Sequence, residues 1–203
     1  MRQLVAALAL ALVLVASQAF AATAGTGYGI KGGLSIASVH GDDVESPDSR
    51  IVGCFGGFIE IPINEMISFQ PELLYAMKGA KYTEGDREWT WKLTYIEIPM
   101  LFKINIPTSG AIDPFVAAGP EVAFKVSSKV EASDQLITIE LDDEDVKGTD
   151  LGIIIGGGIG FPMMNHRAML EARYDLGLTT IDNSAWEADV KNNVISVLVG
   201  VAF

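Results

Sequence analysis

Val194-Ile195-Ser196-Val197-Leu198-Val199-Gly200-Val201-Ala202-Phe203 closes the chain with a two-residue period. Ile195, Val197, Val199 and Val201 fall on one side, Ser196, Leu198, Gly200 and Ala202 on the other, and the final aromatic joins the wholly apolar side. Successive side chains of a strand point to opposite faces, so the segment predicts a β-strand with one strongly apolar face. A water-soluble barrel has no reason to end in mid-strand on an aromatic, and this strand is expected to face lipid.

The same alternation runs back to Tyr28, broken by turn residues, and no segment holds a helical period. Strands are predicted near 27–39, 51–63, 66–82, 91–105, 113–127, 149–161, 167–181 and 193–203. Three connections are short and begin on proline: Pro62-Ile63-Asn64-Glu65, Pro107-Thr108-Ser109-Gly110 and Pro162-Met163-Met164-Asn165. Proline is tolerated where a strand ends because no ladder donor is needed there. Four connections are longer, polar and acidic. Short turns at one end and long loops at the other predict an all-β fold, a closed antiparallel up-and-down transmembrane β-barrel of about eight strands. Gln135 to Leu141 is a candidate for a further hairpin above the third long loop.

Within these strands one parity collects Ile67, Phe69, Leu73, Tyr75 and Met77, then Ile96, Ile98, Met100, Phe102 and Ile104, then Leu170, Ala172, Tyr174, Leu176 and Leu178. It carries no charge. The other parity carries Lys31, Glu60, Glu72, Lys78, Glu97, Lys103, Glu121, Lys125, Glu171, Arg173 and Asp175. A soluble lipocalin-like barrel would hide the apolar parity and wet the charged one, so parity alone does not say which is inside. The charged parity is crowded with small residues (Gly29, Gly33, Gly56, Ala117, Gly119, Gly152, Gly156, Gly158, Gly160), as a narrow lumen filled by a few long side chains requires. Tyr82, Trp89, Trp91 and Tyr95 gather toward the long-loop end, where an aromatic girdle is expected at the membrane interface. These features place the charges in the lumen.

Residues 1–21 put Arg2 ahead of the apolar run Leu4 to Val15 and finish on Ala19-Phe20-Ala21, the pattern of a secretory signal peptide cleaved before Ala22. One domain, residues 22–203, remains. No later stretch approaches the roughly 20 apolar residues of a spanning helix. Loss of the segment, which holds one base and no acid, moves the formal net charge from −12 to −13. So acidic a chain is not a nucleic-acid binder. Cys54 is the single cysteine, so no internal disulfide framework exists, and it reads as a small buried side chain.

Phe69-Gln70-Pro71-Glu72-Leu73-Leu74-Tyr75 followed by Lys78-Gly79, Tyr95-Ile96-Glu97-Ile98-Pro99 followed by Lys103, Pro114-Phe115-Val116-Ala117-Ala118-Gly119-Pro120, Glu171-Ala172-Arg173-Tyr174 and the closing Phe203 resemble the small outer-membrane β-barrel domain family. That family includes PorT-like and OmpX/OmpA-like barrels. The resemblance spans nearly all of residues 22–203 and implies residence in a Gram-negative outer membrane, with recognition by the barrel-insertion machinery through the strand ending at Phe203. PorT-like relatives are associated with a bacterial protein-secretion system. The resemblance brings no catalytic motif and no cofactor.

The lumen set comprises six acids and five bases, close to the balance a plugged interior needs, because an unpaired buried charge is costly. Most of the acidity lies in the loops: −3 over 40–50, −1 over 83–92, −6 over 127–150 and −2 over 181–193. Glu140-Leu141-Asp142-Asp143-Glu144-Asp145 could screen loosely held divalent cations but lacks the spacing of a dedicated calcium loop. Gly156-Gly157-Gly158-Ile159-Gly160 is followed by no helix and no Lys-Ser/Thr pair, which argues against a phosphate loop. His40 and His166 lie at opposite ends of the barrel, so only Ser38 and His40, beside Asp42 and Asp43, offer a conceivable hydrolytic pair.

The expectation is therefore a monomeric, non-enzymatic barrel with a closed lumen and a structural or surface-interaction role. A narrow channel or accessory component of a secretion or transport assembly comes second, and a loop-end lipid or peptide hydrolase third.

Overall fold

The structure, a computed structural model, describes residues 26–41, 47–85, 87–133, 138–142, 145–183 and 188–203. The expected signal peptide, residues 1–21, lies outside them, as do Asp42, Asp43, Asp143 and Glu144. Among the described residues there are ten strands: β1 (Gly27–His40), β2 (Arg50–Pro62), β3 (Ile67–Lys78), β4 (Lys81–Glu84), β5 (Arg87–Asn105), β6 (Asp113–Ser133), β7 (Thr138–Asp142), β8 (Thr149–Met163), β9 (His166–Gly177) and β10 (Lys191–Ala202). Eight of them close a ring, in the order β5-β3-β2-β1-β10-β9-β8-β6 and back to β5. The termini seal it: β1 and β10 pair from Gly29↔Ala202 to His40↔Lys191, and the Phe203 amide donates to the Tyr28 carbonyl at 2.8 Å. A closed ring leaves no edge in the hydrocarbon, the condition under which strands cross a bilayer.

β4 and β7 lie outside the ring. β4 pairs with β5, and β7 pairs with the far end of β6, so β4-β5-β6-β7 form a four-stranded ribbon beyond the barrel wall. The expected strand 66–82 is therefore split. Gly79 takes a φ of +115°, where a Cβ would run into the Trp91 carbonyl, and Arg50 clamps the break by donating to the carbonyls of Lys78 (3.1 Å) and Trp91 (2.8 Å). β6 runs on to Ser133, past the predicted end at 127. A bulge at Val126 makes Tyr95 oppose Lys125 and Thr94 oppose Ser127. The extra residue moves the inward-facing set of β6 from odd positions to even ones, beginning with buried Ser128.

Alternation otherwise matches the sequence reading. Tyr28, Ile30, Leu34 and Ile36 of β1 are exposed, whereas Lys31, Ser35 and Ala37 are buried. Glycine on the inward parity answers lumen crowding at some positions and close strand approach at others. A Cβ on Gly29 would meet the Phe58 ring, one on Gly158 the Phe115 ring and one on Gly152 the Asp175 carboxylate. A Cβ on Gly33 would fall on the Val197 carbonyl of β10, so strand-to-strand approach in a tightly coiled small barrel sets the residue.

Candidate functional site

The inward side chains form successive layers, ordered along each strand from the turn end to the loop end. Nearest the turns, Phe58, Phe115 and Met169 pack together. Lys103 pairs there with Glu60 at 2.9 Å and lies over the Phe115 ring, 4.4 Å from its centroid. The next layer is a quartet. Lys31 bridges Glu72 and Glu171, 2.9 Å to each, and Arg173 donates to both carboxylates, at 2.8 Å to Glu72 and 2.7 Å to Glu171. Gln70 adds a 2.6 Å hydrogen bond to Glu72. Two bases meet two acids, and every member is buried.

Toward the loops, Lys78 faces three carboxylates: Glu97 at 2.9 Å, Glu121 at 3.0 Å and Asp175 at 2.5 Å. The loop-end mouth is capped by Leu93, Tyr95, Ala123, Val146 and Ile181, with Val39 and Val190 packed against them. Val146 and Ile181 come from long loops and are pinned by the Val146–Asp182 bridge and by the Lys147 amide on the Ile181 carbonyl at 2.7 Å. Lys125 donates to the Val146 carbonyl.

The eleven charges expected in the lumen thus all point inward, with Glu60 and Lys125 half-buried and the rest buried. Asp150 belongs with them, although in sequence it stands where the acidic stretch 127–150 overlaps the strand predicted near 149–161. It is buried and accepts from Thr179 (2.9 Å) and Asn192 (2.8 Å). Its parity with Gly152 and Ile154 was the available signal. Cys54 is a free, buried thiol facing Ser35.

The girdle expectation needs correction. Tyr95 is fully buried in the lumen cap, and Trp89 and Trp91 share its side of β5. On the ribbon these residues make two rows opposite one another across the strands: Tyr82–Trp89–Ala132–Ile139 and Trp91–Val130–Leu141. Ile139 and Leu141 are 53% and 65% exposed. The other face is charged and self-paired, with Lys92 on Glu131 and Glu140, Lys129 on Glu140, and Lys81 on Glu88. The ribbon is therefore amphipathic, its apolar face continuing the inner side of the barrel wall.

The Ser38 hydroxyl donates to the Val39 carbonyl at 3.4 Å, and His40 Nδ1 is buried without a hydrogen-bond partner. Among the described residues no hydrogen bond joins the two. His166, at the turn end, stacks edge-on with Phe203 at 4.9 Å between ring centroids.

A family described as outer membrane protein beta-barrel domain matches residues 16–183. No match was found among curated protein sequences. Neisserial surface protein A is similar in structure, at 13% identity, a TM-score of 0.50, and coverage of 88% of this chain and 99% of that one. Ail, the attachment invasion locus protein of Yersinia pestis, aligns at 14% identity, a TM-score of 0.46 and coverage of 88% and 99%. OprG from Pseudomonas aeruginosa aligns at 10% identity, a TM-score of 0.46 and coverage of 87% and 95%. At such identities the likeness is one of fold.

Proposed function

The chain belongs to the outer membrane protein β-barrel domain family and resides in the outer membrane, and from that premise we propose that it is a non-enzymatic surface protein with a sealed lumen, acting through its loop-end ribbon. The observation that carries this reading is the pair of apolar rows ending at exposed Ile139 and Leu141, set beyond a barrel whose inward charges are largely buried. Contiguous exposed apolar surface rimmed by polar residues marks interaction sites. The lumen layers pair charge with charge beneath an apolar cap, which leaves the ribbon and loops to make contacts. In this reading the acidic loops face outward, β10 with Phe203 is presented to the insertion machinery, and the closed ring works as a monomer.

The test is genetic. Cells carrying Ile139→Asp/Leu141→Asp should share the surface phenotype of a deletion strain, such as altered adherence or envelope integrity, with unchanged barrel levels in the membrane. A double variant that behaves as the parent while the deletion does not would contradict the assignment to the ribbon.

A further inference from the structure

Of the three layers of paired charges among the described lumen residues, two balance and one does not. Glu60 answers Lys103, and Glu72 and Glu171 answer Lys31 and Arg173. Lys78 alone answers Glu97, Glu121 and Asp175, leaving two negative charges uncompensated among residues no more than 7% exposed. Buried charge without a counter-charge is strongly unfavourable, so this layer calls for a further cation. The carboxylates offer oxygens all within 4.8 Å of one another. Glu121 Oε2 and Asp175 Oδ1 are buried and have no hydrogen-bond partner. All three acids line a cavity of about 20 Å³ together with Arg173, Ser35 and Ser196, room for one water-sized occupant.

We propose that this cavity binds one hard divalent cation of the calcium class through Glu97, Glu121 and Asp175. A charge of +2 brings the layer to neutrality. Calcium accepts carboxylates singly or doubly in irregular geometry, whereas magnesium demands a near-ideal octahedron and retains several waters, for which the cavity has no space. Lys78 has somewhere to lean when the ion takes carboxylate oxygens, because its Nζ lies 5.8 Å from the centroid of the Tyr95 ring.

The site depends on the sealed lumen only for slow exchange, and the experiment separates the two. The full chain is refolded into lipid vesicles with Ca²⁺ present, so that the site fills before the lumen closes, and metal content is measured before and after a chelator wash, beside Glu121→Gln/Asp175→Asn. The expected result is one Ca²⁺ per chain in excess of the variant, retained through a wash that strips the exposed acidic loops. Equal content in the two proteins overturns the site, protons then balancing the cluster. An excess present before the wash but lost to chelator supports the site and contradicts the sealed lumen. If the double variant does not fold, Glu97→Gln should show the same deficit, and parent-like content in it overturns the proposal.

Discussion

Arg173 holds Glu72 across the lumen by two parallel hydrogen bonds, Nη1 to Oε2 and Nη2 to Oε1, both 2.8 Å. The residues sit on β9 and β3, which are not neighbours in the ring, so the pair ties opposite walls together. Both are buried, and Lys31 and Gln70 complete the acceptor demand of the carboxylate.

Glu72→Ala leaves Arg173 and Lys31 facing each other with a single acid between them. Breaking a buried ion pair from one side costs about 3–5 kcal/mol. Urea unfolding of the barrel in lipid vesicles should show a loss of that size, with a smaller loss for Glu72→Gln, which keeps an acceptor. A loss below about 1 kcal/mol, the range of exposed pairs, would mean the quartet is hydrated.

Gly33→Ala should weaken the β1–β10 seam, because its Cβ would meet the Val197 backbone. Overpacking of this kind costs about 1–3 kcal/mol. Gly53→Ala is the control, since the nearest atom to its Cβ is the Gly33 carbonyl oxygen at 3.8 Å. Heat-modifiability gels should show an earlier loss of the folded band for the first and no change for the second.

The ribbon should respond to pH independently of the barrel. Hydrogen bonds from Lys129 and Lys92 hold the Glu140 carboxyl below its ordinary 4.5, and the bond to Glu140 raises Lys129 above its ordinary 10.5. A depressed carboxyl stabilises the docked strand above its unfolded value and loses that contribution as pH falls through the folded one. A raised amine contributes below its unfolded value and loses that contribution as pH rises through the folded one. Amide exchange over 138–142 should therefore be slowest relative to an unpaired strand between about pH 5 and 10. Lys129→Ala should speed it at neutral pH without altering exchange in the barrel. Exchange that ignores both changes would show that backbone pairing alone holds β7.

Phe203 touches Tyr28 at 5.9 Å and His166 at 4.9 Å between ring centroids. Each aromatic contact is worth about 0.5–1.5 kcal/mol, so Phe203→Ala should refold in detergent with only a modest stability loss. Its level in cell envelopes should fall much further if, as we propose, Phe203 is read during insertion. Equal falls in both assays would make Phe203 a packing residue only.

The ring was legible in the sequence because lipid and lumen impose opposite demands on alternate residues. That alternation set eight strands and the inward direction of Lys31 through Asp175. Features that depend on one backbone torsion or one extra residue were not. Gly79 breaks β3 from β4 through a positive φ, and the bulge at Val126 exchanges the faces of β6, neither of which disturbs hydrophobic period enough to be read. Aromatic residues near a loop suggest a girdle, which is why the sequence alone points Trp89, Trp91 and Tyr95 to the membrane interface. Their shared parity with Glu97 already placed them on the inner side, but the extension of β5 beyond the barrel could not be foreseen. Which charges pair was equally hidden, since Lys78 reaches β5, β6 and β9 at once.

If the lumen is sealed as we propose, the barrel should not pass ions. Single-channel recording of the full chain in planar bilayers addresses this directly. A sealed lumen gives a baseline without discrete openings across the voltage range that the bilayer tolerates; discrete, reproducible openings from the folded protein would contradict it.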